Sequence, residues 1–341
     1  MHRSGIPAPR RRALGLLSAL LGGAKATTAA AQPPVSGLTG TAAAAWPVRQ
    51  VRLLTPGGPG TGVDLAARLL AEGLARRLGQ PLPVENRPGA DGTLAAEAHA
   101  RARPGESLLF SFLAVANPAL HDRPLPYDPD TDLVPVAPAV TEFHAFAVPS
   151  ALPATDMAGL LTLARERPGT LNWHGAAGLP HLAFRLFLRD RGAEMVFVSY
   201  RGIAAAVPDL AAGRIHLVFG PASSALGLIR EGSVRALAVS ARERAPALPE
   251  VPTVAEAGFP DLRLEAVYGL FGWSGMHAAT RDRLAAETRT VLAEPAVADR
   301  LRAAGALPRP GTPDDLAELI SQQRARAEEG ARAFGSARPP G

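Results

Sequence analysis

The chain has 341 residues with 36 Lys+Arg against 31 Asp+Glu, and the whole basic excess sits in residues 1–45, where Arg3, Arg10, Arg11, Arg12 and Lys25 stand without an acid. From Trp46 onward the two signs balance, so the high isoelectric point is no sign of nucleic-acid binding. There is no cysteine and Lys25 is the only lysine, which excludes disulfides, thiolate metal sites, a Cys nucleophile, a lipid-anchored N-terminal Cys, and any Schiff-base or Walker lysine in a mature chain.

In chain order, Arg10-Arg11-Arg12 precede the apolar run Ala13 to Leu21, then Gly22-Gly23 and the small-residue tracts Ala29-Ala30-Ala31 and Ala42 to Ala45. This is the arrangement of a cleaved signal peptide, and the run is well short of the ~20 residues that span a bilayer. Residues 1–31 are expected to be the signal peptide, with cleavage after Ala45 as the alternative, and 32–45 a flexible spacer; a periplasmic location is expected. The arginines, the weak core and Lys25 after it suggest the twin-arginine route, although Ala13-Leu14 replaces the usual Phe-Leu; Sec export stays open.

After the leader, Val51 to Leu54 reads as a buried strand running into Pro56-Gly57-Gly58-Pro59-Gly60-Thr61-Gly62. Asp64 to Leu78 then has helical spacing, with Leu65, Leu69, Leu70, Leu74 and Leu78 on one face and Gly79 closing it. Leu82 to Glu85 (strand), Thr93 to Ala102 (helix) and Leu108 to Phe112 (strand) continue the alternation. The second half repeats it: helix Met157 to Glu166, strand Leu171 to Trp173, helix His181 to Arg189, strand Met195 to Val198, helix Ile203 to Ala212, strands Ile215 to Phe219 and Arg235 to Val239. Helices Thr280 to Leu292, Pro295 to Ala304 and Pro313 to Ala331 close the chain, the last with Thr312 as N-cap. Such alternation predicts an α/β architecture with parallel sheets, and the length predicts two lobes.

The Gly-rich turn before Asp64 is the sharpest local signal, because backbone N–H groups feeding a helix N-terminus make an anion site. It fails as a dinucleotide fingerprint, since the last glycine position falls on Val63 or Leu65, and as a Walker A loop for want of Gly-Lys. Glu85 stands where a ribose-binding acid would sit. His174-Gly175-Ala176-Ala177-Gly178 resembles an esterase oxyanion segment, yet no Gly-x-Ser-x-Gly turn exists to supply a nucleophile; it reads more simply as a second anion cradle before the helix at His181. The eight histidines show no close ligand spacing, so neither a metal nor a cofactor is expected. Tyr200-Arg201-Gly202 lies between a strand and a helix, where it faces either a cleft or solvent.

With these loops placed, the chain from Trp46 to about Ala331 resembles the Bug-type extracytoplasmic receptors of the tripartite tricarboxylate transporter family. The resemblance rests on Trp46-Pro47-Val48-Arg49, Val84-Glu85-Asn86-Arg87-Pro88-Gly89-Ala90, Asn117-Pro118-Ala119-Leu120, Leu125-Pro126-Tyr127-Asp128-Pro129, Pro180-His181-Leu182-Ala183, Tyr200-Arg201-Gly202, Arg235 to Val239 and Leu248 to Gly258. It implies a type II periplasmic-binding fold: two α/β lobes, here 46–140 with 246–341 and 141–245, joined by two crossover segments and closing on a small organic carboxylate. One jaw would be Gly58, Gly60, Thr61, Gly62 and Asp64, the other Ala177, Gly178 and His181, with Asn117, Tyr200, Gly202 and Gly220 along the wall.

Under the same resemblance the protein is a monomer that catalyses nothing and delivers its carboxylate to the membrane subunits of a tripartite tricarboxylate-type transporter; the alternative is a ligand-sensing adaptor for a signalling receptor. Departures from the family pattern fall on the ligand loops. Gly57 replaces a usual aromatic, Thr61-Gly62-Val63 a Gly-Ser-Thr run, Ala176 to Leu179 a Gly-Asn-Gly-Ser-like loop, and Gly220 a frequent Asp. Fewer hydroxyls and more apolar side chains point to an aromatic or branched monocarboxylate.

Overall fold

The computed structural model describes residues 46–334 except 122, 177 and 201; the leader and spacer, and Ala177, lie outside the described residues. The first half contains β1 (Arg52–Thr55), α1 (Gly62–Leu78), β2 (Val84–Asn86), α2 (Thr93–Ala100) and β3 (Ser107–Phe112). Two strands that the sequence pattern does not announce follow, β4 (Val134–Glu142) and β5 (His144–Pro149). Then come α3 (Met157–Glu166), β6 (Asn172–Gly175), α4 (Leu179–Asp190), β7 (Val196–Phe197), α5 (Ile203–Ala211), β8 (Leu217–Pro221), α6 (Leu226–Arg230) and β9 (Val234–Val239). A further unannounced strand, β10 (Ala266–Gly272), precedes α7 (Ala278–Ala293), α8 (Pro295–Ala303), the short β11 (Ala306–Pro308) and α9 (Pro313–Phe334).

The strands form two sheets, ordered β11-β4-β10-β3-β1-β2 and β7-β6-β8-β5-β9. The expectation of parallel sheets needs correction. Only β2-β1-β3 and β7-β6-β8 are parallel, while β4, β10 and β11 in one sheet and β5 and β9 in the other run antiparallel to their neighbours. Four of these antiparallel strands, β4 with β5 and β9 with β10, carry the chain between sheets. A single residue, Phe143, separates the end of β4 from the start of β5, and residues 240–265 lead back from β9 to β10. The architecture is therefore two α/β lobes with two crossovers, the periplasmic-binding-protein arrangement.

Local chemistry explains where the helices begin and end. At α1, Thr61 accepts from the Asp64 N–H, and Gly79 adopts φ 69° and returns its N–H to Ala75, a left-handed cap that glycine takes without a Cβ penalty. At α9, Thr312 and Asp315 cap each other reciprocally at 2.7 and 3.1 Å, as a capping box does. Each side of the first sheet is covered. Leu70 and Leu74 of α1 pack with Val291 and Leu292 of α7 on one face, and Leu316 and Ile320 of α9 pack with Leu109 and Phe271 on the other. The second lobe centres on aromatic packing, with Phe146 stacked on Phe219 at 4.0 Å and Trp173 edge-on to Phe184. Each such fully buried side chain contributes about 1.5–3 kcal/mol. The long α9 also reaches the second lobe, where Ala327 packs on Leu182 of α4. Among the described residues no helix is long and apolar enough to cross a membrane.

The α1–α7 contact depends on Gly73, where an added Cβ would come within 2.3 Å of Val291 Cγ1. Val291 is fully buried and β-branched, so it has little rotamer freedom to yield. Gly73→Ala gains about 1 kcal/mol of helix propensity against an overpacking cost of about 1–3 kcal/mol. The net expectation in a denaturant melt is destabilisation that Val291→Ala, in the same chain, relieves; a stabilised single variant would contradict this packing.

Candidate functional site

A cavity of about 350 Å³ opens between the two sheets. It lies at the C-terminal ends of β3, β6 and β7, where open α/β sheets present their loops. From the first lobe it is lined by Phe112, Leu113 and Ala114, with Leu120 and His121 beside them. From the second it is lined by His174 to Ala176 at the end of β6, by Gly178 to His181 at the start of α4, and by Phe197, Tyr200, Gly202 and Ile203. The crossovers contribute His144 and Leu264 to Tyr268.

Two helices begin at this wall without side-chain caps. The N-cap of α4 is Gly178, at φ 77°, and that of α5 is Gly202, at φ 95°; neither makes a side-chain hydrogen bond to its first turn. Both backbones occupy conformations that glycine permits and other residues strain to adopt. At α4 Pro180 has no N–H and His181 donates to the Ala176 carbonyl at 3.1 Å, and at α5 Ala205 donates to the Gly202 carbonyl at 3.1 Å. The N–H groups of Leu179, Ile203 and Ala204, with the positive ends of the helix dipoles, are therefore what favours an anion.

Three histidines surround the same space, each almost fully buried. His174 Nδ1 donates to the Val198 carbonyl at 3.0 Å; since a carbonyl only accepts, the neutral ring carries its proton on Nδ1 and Nε2 is an acceptor, which has no partner. His181 stacks on Trp173 at 5.0 Å and meets Phe197 edge-on at 4.5 Å, and neither ring nitrogen has a hydrogen bond; His144 Nδ1 is also unpartnered. A buried polar atom left without a partner costs about 1–3 kcal/mol. Burial lowers all three rings: His144 to about 4, His181 to about 4 with added repulsion from Arg185 and His174, and His174 downward despite its bond to Val198. Among the described residues no Arg or Lys lines the cavity, and the acid Glu265 on its wall is paired with Arg242 and Arg309.

Of the residues expected from sequence, Gly178, His181, Tyr200 and Gly202 meet at this cavity. The Tyr200 hydroxyl is engaged, donating to Asp209 at 2.7 Å, while its ring stands edge-on to His174. Gly220 lies just behind the wall in β8, where a Cβ would sit 2.7 Å from Ile203 Cδ1; its lack of a side chain makes room for Ile203. Asn117 is buried and does not line the cavity, accepting from the Ala119 N–H at 3.2 Å, with Nδ2 unpartnered.

The residues of the first jaw gather at the start of α1 and do not line the cavity. Thr61 donates to the Gly58 carbonyl at 2.8 Å. Asp64 accepts from the Gly60 N–H at 2.9 Å, from Asn86 at 2.7 Å and from Arg68 at 3.0 Å. Burial alone would raise the Asp64 carboxyl, but those hydrogen bonds outweigh it and hold the group below its ordinary value. Asp64 thus folds the glycine-rich loop. Gly62 faces Glu142 and Ser223.

The sequence pattern gives no sign of His144, Phe112 and Phe197, and places His174 in the second anion cradle without a role for its ring. No spacing signal exists, because β6, β8 and β5 are neighbours only in the sheet. The buried rings generate a prediction about pH. His144 and His181 titrate near 4 in the folded chain against 6.5 unfolded, so the unfolded chain binds more protons between those values. Stability is full above pH 6.5 and falls as pH drops towards 4. His181→Phe, which keeps a ring between Trp173 and Phe197, should flatten the decline in pH-dependent melts; an unchanged slope would contradict the assignment.

Comparison with known proteins agrees with this fold. The tripartite tricarboxylate transporter family receptor model matches residues 66–335. The chain is 33% identical to a UPF0065 protein of Bordetella bronchiseptica, over 94% of this chain and 95% of that one. Rpa4515 of R. palustris, solved with adipate, is 32% identical and superposes with a TM-score of 0.78 over 86% of this chain and 99% of its own. MatC of Rhodopseudomonas palustris, with bound malate, is 32% identical with a TM-score of 0.73 over 84% and 99%. The chain belongs to the tripartite tricarboxylate transporter family of receptors, which are periplasmic solute-binding proteins.

Proposed function

We propose that this receptor captures a small organic carboxylate in the cavity between its lobes, without catalysis, and delivers it to the membrane subunits of a tripartite tricarboxylate-type transporter. The observation that carries the proposal is the convergence of two uncapped helix N-termini, α4 and α5, with three buried, neutral histidines around one cavity. Backbone dipoles can hold an anion there without a fixed positive charge. The lobes are taken as 46–140 with 246–341 and as 141–245, and binding would close them about the crossovers as a hinge. Export by the twin-arginine route, with loss of residues 1–31, would put the protein in the periplasm.

The body of the ligand is proposed to be apolar. Phe112, Leu120, Phe197 and Val267 line the cavity beside the apolar first residues of the two helices, Leu179 and Ile203, which suits an aromatic or branched monocarboxylate. Two relatives of similar fold hold adipate and malate, and their binding of carboxylates supports the ligand class.

The test is a thermal-shift screen of residues 46–341 against aromatic, branched and straight-chain monocarboxylates, di- and tricarboxylates, and amino acids. An acid at about 100 times its dissociation constant stabilises by ~2.7 kcal/mol, a shift of a few degrees for a chain of this size. A selective shift by a monocarboxylate is expected; a panel without any shift would contradict the reading. Ile203→Glu places a carboxylate at the start of α5, where repulsion of about 1–4 kcal/mol from a bound anion should weaken binding about tenfold or more by calorimetry. Undiminished affinity would remove α5 from the site.

A further inference from the structure

Among the described residues, Ala90 and Asp91 are the only non-glycine residues with positive φ, at 46° and 51°, and they stand between Gly89 and Gly92, at 122° and 85°. Left-handed backbone suits glycine, is tolerated by Asp and is unfavourable for Ala, and such outliers gather where a fold holds a group ready for use. The turn is fixed in three ways. The Gly92 N–H donates to the Gly89 carbonyl at 3.0 Å, the Thr93 hydroxyl donates to the Ala90 carbonyl at 2.8 Å, and a Cβ on Gly92 would lie 2.7 Å from Cζ of Phe112. Residues 89–92, between β2 and α2, therefore rest directly on a ring that lines the cavity.

Asp91, the side chain that this turn presents, lines the cavity from the first lobe; it is exposed and has no hydrogen bond or ion pair among the described residues. The rest of the wall does not neutralise it. No described Arg or Lys lines the cavity, and Glu265 is itself paired with Arg242 and Arg309. His121 Nε2 is engaged with the Ala114 carbonyl, and burial holds the rings of His144, His174 and His181 below their ordinary range, so those three are uncharged at neutral pH. A cavity that offers a carboxylate the helix starts of the second lobe thus keeps, on the first lobe, one acid of its own without a counter-charge.

We propose that Asp91 is a specificity-determining residue that meets a positively charged nitrogen of the ligand, so that the receptor takes acids with one carboxylate and one protonated amine separated by an apolar body. With the carboxylate at the starts of α4 and α5 and the apolar part against Phe112 and Leu120, the amine would reach the first lobe beside Phe112, where the turn holds Asp91. A second carboxylate in that place would be repelled, and an uncharged end would leave Asp91 without a partner when the lobes close. The inference rests on the carboxylate-receptor reading and names the second group that the ligand carries.

Two series of acids isolate the end group: 4-methylbenzoate, 4-(aminomethyl)benzoate and benzene-1,4-dicarboxylate on a rigid ring, and hexanoate, 6-aminohexanoate and adipate on a flexible chain. Each would be titrated calorimetrically into residues 46–341, unsubstituted and as Asp91→Asn and Asp91→Gly. In at least one series the unsubstituted chain should bind the amine-bearing acid about threefold or more tighter than the plain acid, and the plain acid about threefold or more tighter than the dicarboxylate. Asp91→Asn, which keeps a residue that tolerates the left-handed turn and removes the charge, should bring the three affinities to within about twofold of one another. Asp91→Gly should do the same while relieving the turn, and it decides the outcome if Asp91→Asn loses its folded circular dichroism. A merely structural Asp91 would shift all three acids together and leave their order intact. A plain acid or dicarboxylate that binds the unsubstituted chain as tightly as its amine-bearing counterpart in both series, an order that survives in Asp91→Gly, or no binding in either series overturns the inference. If the wider thermal-shift screen still finds a monocarboxylate, only the role of Asp91 falls and the receptor reading stands.

Discussion

The chain passes between its two sheets twice, and the two passages are bound to each other. Ser240, at the start of the return passage, donates its N–H to the carbonyl of His144, the first residue beyond Phe143, at 2.8 Å; its own carbonyl then accepts from the Leu264 N–H and its hydroxyl donates to the Leu264 carbonyl. Outgoing and returning strands therefore lie side by side at the lobe junction. Much of the cavity wall is positioned from this strap: His144 and Leu264 to Tyr268 lie on it or follow it, and β6 with the starts of α4 and α5 extends from the sheet that β5 joins. Because β4 and β5 are separated by one residue, the angle between the lobes depends on few backbone torsions.

The chemistry at the strap is neutral by construction. Three buried histidines are held below their usual titration range, and of the acids near the cavity Glu142 is hydrogen-bonded and Glu265 is paired, while Asp91 lines it from the first lobe. In so apolar a space a fixed charge would carry a large desolvation penalty, whereas helix dipoles and backbone N–H groups are already in place and lose little on dehydration. This explains how an anion receptor can work with no lysine beyond the leader. The unpartnered nitrogens of His144, His174 and His181 fit the same picture, since polar groups left unpaired in a native interior await water or a ligand.

What could be read from the sequence was the part governed by local rules. α1, α3, α8 and α9 start and stop close to where caps, prolines and glycines place them, and the strands feeding Gly-rich turns were legible as β-α units. The antiparallel strands were not. β4 contains Pro135 and Pro138, and its ladder with β10 skips Val136 and Ala139 beside them, the bulges by which a strand tolerates residues without an N–H. β10 is buried along nearly its whole length and so lacks alternation; Gly269 and Gly272 are required there because Leu316 and Met276 occupy the space of a side chain. The site divided in the same way. Gly178 and Gly202 were legible because uncapped helix starts follow from local residues, and His181 through its place in a family-like segment. The grouping of His144 with His174 depends on β8 lying between their strands, and the approach of Glu142 to α1 depends on both crossovers. Neither is encoded at any fixed spacing.

The central claim is that a carboxylate sits between the lobes at the starts of α4 and α5. A crystal structure of residues 46–341 soaked or co-crystallised with the acid that stabilises it most tests this directly. The account predicts carboxylate oxygens within about 2.7–3.2 Å of backbone N–H groups at those helix starts, with the apolar end of the ligand against Phe112 and Leu120. A carboxylate bound elsewhere, or held by a cationic side chain with the two helix starts left empty, would contradict it.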